Sequence, residues 1–112
     1  MPTPATLVLL YVPCGSFDEA RRIARALLDA RLIACANLHP IRSLYRWAGV
    51  PAEEDEVVLL AKTTADHADA AEALIAARHS FTTPAILRLP GVGANAAYAA
   101  WVAGEVGPEP DI

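Results

Sequence analysis

The spacing of apolar positions along this chain changes period several times, and each change marks an element. Residues 6–12 (TLVLLYV) are apolar without alternation, which suits a central strand buried on both faces. Pro13-Cys14-Gly15 stops that run. Ser16 and Glu19 then stand at the N-cap and N3 positions of a capping box. Ala20, Ile23, Ala24, Leu27 and Leu28 recur at helical spacing, with Arg21, Arg22, Arg25 and Asp29 on the polar side. The pattern predicts a helix over 17–30.

Residues 32–64 read as two long strands joined by a turn. The first is rich in β-branched and aromatic residues and ends at Trp47. The turn is Ala48-Gly49-Val50-Pro51, followed by the acidic cluster 53–56. The second strand, 57–64, opens with five apolar residues, as expected of a strand buried on both faces. About 14 extended residues span roughly 46 Å, whereas a compact domain of this size has a radius of gyration near ~13 Å. The hairpin must therefore bend or project and pack on another chain. Pro40 lies inside the first strand, cannot donate to a ladder, and predicts a bulge or a change of partner. Beyond it, Ile41, Ser43, Tyr45 and Trp47 share one face; Arg42, Leu44 and Arg46 share the other.

An alanine-rich helix is predicted over 66–79, capped by Thr64 or Asp66, with Ala71, Leu74, Ile75 and Arg78 along one stripe. A loop over 80–84 leads to a short strand, 85–89, closed by Pro90-Gly91. Asn95 caps a third helix whose apolar stripe is Tyr98, Trp101 and Val102, and the tail from Gly107 is expected to fray. The order β-α-β-β-α-β plus a helix is the ferredoxin-like α+β arrangement, an antiparallel sheet with helices on one face. Its other face is open unless a second subunit covers it.

The 112 residues suffice for one domain, 1–112, and their hydrophobic share of 54% supplies its core. There is no apolar run near 18 residues and hence no membrane-spanning helix. Met1-Pro2-Thr3-Pro4 lacks the positive charge of a signal peptide, so a cytoplasmic location is expected. The net charge of −4 disfavours nucleic acid as a partner. Cys14 and Cys35 have no CxxC spacing and read as free thiols.

Taken together, Leu32-Ile33-Ala34-Cys35-Ala36-Asn37, then Pro40, Ser43, Tyr45, Trp47 and Gly49, then Leu60-Ala61-Lys62-Thr63, then Leu89-Pro90 and Tyr98-x-x-Trp101, resemble the CutA divalent-cation-tolerance family. The resemblance runs from about Leu7 to Val102. It implies a ferredoxin-like fold in an intertwined homotrimer whose long hairpins cross between subunits. It also implies a link to tolerance of copper and other divalent ions, without established enzyme activity. The family's HPYExPE segment corresponds here to His79-Ser80-Phe81-Thr82-Thr83-Pro84-Ala85. Both glutamates are replaced, by Thr82 and Ala85, and the tyrosine hydroxyl is lost at Phe81.

Cys35 reads either as a small apolar filler of its strand or as a soft ligand for Cu(I) or zinc. His79 ends a helix, where the carbonyl end favours an imidazolium, and is the other candidate metal ligand. His39 and His67 read as solvated. Lys62 either snorkels to water or meets an anion in a cleft between subunits. Tyr45 and Trp47, at the hairpin tip, read as interface anchors beside the same cleft. The acidic cluster is a solvated turn or a hard-cation site. Gly91-Val92-Gly93 lacks the lysine of a phosphate loop, and no serine, histidine and acid set has usable spacing for nucleophilic catalysis; with the enzyme activity that the resemblance leaves unestablished, no enzyme is expected. The leading expectation is a trimeric CutA-like protein with copper or another divalent metal as its ligand. The alternative is a PII-like trimeric sensor holding a small molecule or nucleotide in an intersubunit cleft, with Arg42, Arg46, Lys62, Arg78 and Arg88 as the basic groups. A small ferredoxin-like enzyme using His79 as acid or base is the third.

Overall fold

The structure, a computed structural model, describes residues 6–108. The element order is β1 (Thr6–Cys14), α1 (Phe17–Asp29), β2 (Cys35–Trp47), β3 (Val50–Thr63), α2 (Ala65–Arg78), β4 (Leu87–Gly93) and α3 (Ala96–Glu105). The four strands form one antiparallel sheet in the order β2-β3-β1-β4, the ferredoxin-like α+β arrangement.

Alternation along the strands sorts the core into two layers. Val8, Leu10, Val12, Cys14, Leu59 and Ala61 point to one face, where Ala20, Ile23, Ala24 and Leu27 of α1 and Ala68, Ala71 and Ile75 of α2 cover them. Leu7 points the other way and packs with Ala34, Val102 and Val106 under α3. The helices are thus split between the two faces, and only part of the second face is left open. Val58 and Leu59 are both fully buried although they face opposite ways, as the apolar run at 57–61 led us to expect.

Several elements depart from the sequence reading. β1 continues through Pro13 and Cys14, opposite Val58 and Val57. Pairing of β1 with β4 reaches only Tyr11, and His79 meets the Pro13 carbonyl beyond the end of that pairing, where a proline is tolerated. Pro40 produces no break: β2 pairs with β3 in one register from Cys35↔Lys62 to Trp47↔Val50. β2 is an edge strand, so a proline nitrogen turned outward removes no bond. The turn is only Ala48-Gly49, with φ of 50° and 79°, the left-handed pair of a type I′ hairpin. The cluster 53–56 is therefore strand, not turn. β4 runs past Pro90-Gly91; there an extra β4 residue shifts the register between Leu9↔Leu89 and Leu7↔Val92, a bulge that Gly91 accommodates at φ 65°. In α2, Arg78 is exposed and outside the buried stripe, and in α3 only Val102 is fully buried while Trp101 is exposed.

Cys14↔Val57 is the last pair that ties β3 to β1. Residues 41–47 and 50–56 pair only with each other and form an arm. The molecule is accordingly long, 51 × 31 × 21 Å, with a radius of gyration of 15.2 Å. At the other end the tail is held. The N–H of Gly107 donates to the Arg31 carbonyl, and Arg31 donates from Nε to the Gly107 carbonyl at 2.7 Å. Gly107 is thus not frayed; residues 109–112 of that expected tail, and the N-terminal residues 1–5, lie outside the described residues.

Candidate functional site

Three groups of side chains bear on function. The first lines a concavity of about 890 Å³ between the arm and the segment 80–85. Ile41, Ser43, Tyr45 and Trp47 supply the β2 side, with Glu54 and Glu56 of β3 beside them. Strand alternation splits the acidic cluster. Glu53 and Asp55 point to the opposite face and clamp Arg42 at 2.8 and 2.9 Å, whereas Glu54 and Glu56 face the concavity. Glu56 is only 7% exposed, so the cluster is not uniformly solvated. Burial, then the neighbouring Glu54, raises the Tyr45 phenol above its ordinary range. Across the concavity stand Phe81, Thr82 and Ala85, the last two where the resemblance calls for carboxylates. Tyr45 and Trp47 meet here, but Lys62 does not.

The second group is the joint between the end of β1, the start of α1 and the end of α2. Ser16 Oγ accepts the Glu19 N–H at 3.1 Å, as the capping box requires. The Glu19 carboxylate reaches further back than a capping box does: it accepts the Gly15 N–H at 3.0 Å and the Ser80 N–H at 2.8 Å. Burial pushes this carboxyl up, but the Ser80 and Gly15 hydrogen bonds and nearby His79 together hold it below the ordinary value. His79 Nδ1 accepts the Phe81 N–H at 3.1 Å, which places its proton on Nε2, donated to the Pro13 carbonyl at 2.9 Å. The Phe81 ring tilts against His79 at 4.6 Å and packs where a Cβ on Gly15 would lie, 3.4 Å away.

Cys14 completes this joint: the donor atoms of Cys14, Glu19 and His79 lie within 4.8 Å of one another. Such a donor set is of metal-binding type, but its groups are occupied. Burial, then Glu19 and Glu56, pushes the Cys14 thiol up to about 12, so it is protonated at neutral pH, and it donates to the Val12 carbonyl. Glu19 and His79 each already hold two partners. In this geometry the three residues fit a structural joint and not a ready metal site. Sequence reasoning passed over Cys14 and gave Glu19 only a capping role, because contacts between residues 14, 19 and 79 carry no signal in spacing.

The third group surrounds Cys35, half-buried at the start of β2. Lys62 Nζ lies 3.8 Å from its sulfur and hydrogen-bonds the Asn37 side chain. The Tyr98 phenol of α3 lies against it, raised by burial and then by Cys35. Cys35 pairs with Lys62, which pairs with Leu9, whereas His79 holds the carbonyl of Pro13, four residues further along β1. The two candidate metal ligands are therefore not brought together within one chain. Of the basic residues proposed for a nucleotide cleft, Arg42 and Arg88 are already paired with carboxylates, and Arg78 lies with the arginines of α1. His39 is exposed, as expected, but His67 is half-buried, its Nδ1 3.0 Å from the Thr64 hydroxyl.

The CutA1 divalent ion tolerance family profile matches residues 8–105. The chain belongs to this family. It is 40% identical over 97 residues to the divalent-cation tolerance protein CutA of Thermus thermophilus, covering 86% of this chain and 92% of that one. The structure of CutA from Synechococcus elongatus superposes with a TM-score of 0.87 at 33% identity, over 96% of this chain and 95% of that one. The Archaeoglobus fulgidus structure, described as a periplasmic divalent cation tolerance protein CutA, superposes with a TM-score of 0.83 at 31% identity, covering 86% and 94%. No helix among the described residues of this CutA1-family chain is long and apolar enough to cross a membrane.

Proposed function

We propose that this CutA-type divalent-cation tolerance protein acts as a homotrimer, as a binding or scaffolding protein and not an enzyme, and that it contacts copper or another divalent metal weakly. The supporting observation is the arm. It projects beyond the sheet with Leu44, Tyr45, Trp47 and Val50 exposed, Leu44 to 71% and Trp47 to 57%. So much apolar surface on a two-stranded ribbon calls for a second copy. A neighbouring arm would also complete the concavity, leaving an intersubunit cleft for a small ligand beside Tyr45 and Trp47.

Cys35 and His79 are the proposed metal contacts, acting separately within a chain. A tight zinc or copper site takes about four thiolate or imidazole ligands, and His79 must release a hydrogen bond to bind. The two unpaired thiols accord with the reducing cytoplasm as the compartment. Light scattering of dilute protein should give about three times 11.9 kDa; a monomer at micromolar concentration removes the assembly reading. Copper titration against a competing chelator should show weak binding, reduced in both Cys35→Ala and His79→Ala. One copper per chain held at nanomolar affinity would show a site built from other residues.

A further inference from the structure

We propose that the outer face of α1, joined by the last turn of α2, binds a compact multivalent phosphate. Of the eight arginines in the chain, four are engaged. Arg42 and Arg88 pair with carboxylates, Arg31 donates to the carbonyls of Gly104 and Gly107, and Arg46 donates to that of Gly49. Arg21, Arg22, Arg25 and Arg78 have no hydrogen bond or ion pair among the described residues, and all four line one shallow concavity of about 610 Å³. In a chain with a net charge of −4, this is a local concentration of positive charge that the fold does not use.

Helical geometry gathers it. Arg21, Arg22 and Arg25 stand three and four residues apart on the side of α1 opposite Ala20, Ile23, Ala24 and Leu27, which face the sheet. Arg78 reaches the same concavity from α2. Like charges at Arg21–Arg25 and Arg22–Arg25 cost the helix a few tenths of a kcal/mol per pair, an amount that Asp18 and Asp29 offset at the same spacings, and four arginines against two aspartates still leave the concavity with an excess of positive charge. Guanidinium forks match phosphate oxygens two at a time.

The rim sets the size of the ligand. Asp18 and Asp29 close the two ends of the concavity along α1. An extended polyanion, such as a nucleic-acid strand, or a flat anionic membrane would run into both carboxylates. A triphosphate group fits between them. The shared chemistry is the triphosphate, whether inorganic or carried by a nucleotide. Because α1 packs by its inner face, the site stands apart from the arm and does not depend on the assembly proposed above.

The test is calorimetric titration of the full-length protein at low salt with inorganic tripolyphosphate, ATP, orthophosphate and a single-stranded oligonucleotide, with affinity expressed per chain whatever the assembly mass. Tripolyphosphate should bind at one site per chain and orthophosphate about tenfold more weakly or less. ATP matching tripolyphosphate assigns recognition to the phosphates; ATP binding much more tightly assigns the source to a nucleotide, with the triphosphate still the anchor. Arg22→Gln/Arg25→Gln should lose about tenfold in affinity with helix content unchanged, Arg78→Gln should lose less, and Arg42→Gln should bind as the parent does. Absence of tripolyphosphate binding at millimolar concentration, binding unchanged in both the double variant and Arg78→Gln, or an oligonucleotide outcompeting tripolyphosphate would each overturn the proposal.

Discussion

Glu19 is the residue on which three segments converge. Its carboxylate satisfies the N–H groups of Gly15 and Ser80, fastening the start of α1 to the segment after α2. Glu19→Ala leaves both donors without an acceptor and should cost roughly 2–3 kcal/mol, read from denaturant midpoints. Glu19→Gln retains an oxygen and should cost less. The folded carboxyl titrates below its ordinary value of 4.5. The unfolded chain therefore takes up a proton first as pH falls. The stability contributed by this joint is full above that value and is lost as pH drops through the folded one. Parent and Glu19→Gln stabilities should converge on acidification; a constant gap down to pH 3 would place the sensitivity elsewhere. At this scale the sequence was half legible. The cap at Ser16 follows from local spacing, since its bond spans three residues, whereas the bond to Ser80 spans 61 residues and leaves no mark in any window.

The arm shows what can be read of an element. Its existence and excess length follow from the alternating residues between Leu32 and Trp47 and from the apolar run after them. Its details do not, because they depend on neighbours. Pro40 is harmless only because β2 is an edge, and the acidic residues are strand only because the turn closes at two residues. That turn offers two substitutions of opposite sign. Ala48 holds φ 50°, a region in which an L-residue with a Cβ is strained by ~1–2 kcal/mol and asparagine is better tolerated. Ala48→Asn should therefore slow hydrogen exchange of the arm amides. Gly49, at φ 79°, has open space around it, so Gly49→Val tests backbone conformation alone. It should destabilise the hairpin by about 1–2 kcal/mol and speed that exchange. Equal exchange in both variants would mean that the turn does not control the arm.

At the scale of the whole molecule, the apolar side chains exposed on the arm stand apart from the core that α1 and α2 cover on the sheet. Trp47→Ala should loosen assembly, with the dissociation midpoint shifting by the ~3–5 kcal/mol typical of a buried tryptophan, while far-ultraviolet circular dichroism is retained. Unchanged assembly would place this side chain in solvent. The candidate site was least legible here. Cys35 and His79 are conspicuous residue types, but they belong to elements that the fold keeps apart, and no window of sequence reports that separation. The unbroken pairing of β2 with β3 also bears on how the molecule reaches this state. Every strand pairing within the arm is local in sequence, beginning with Trp47 opposite Val50. Hairpins of this kind zip in about 1–10 μs. In the proposed assembly the arm can then form before any encounter with another chain, and encounter becomes the slow step. Refolding should show a fast phase indifferent to dilution, followed by a phase whose rate rises with protein concentration.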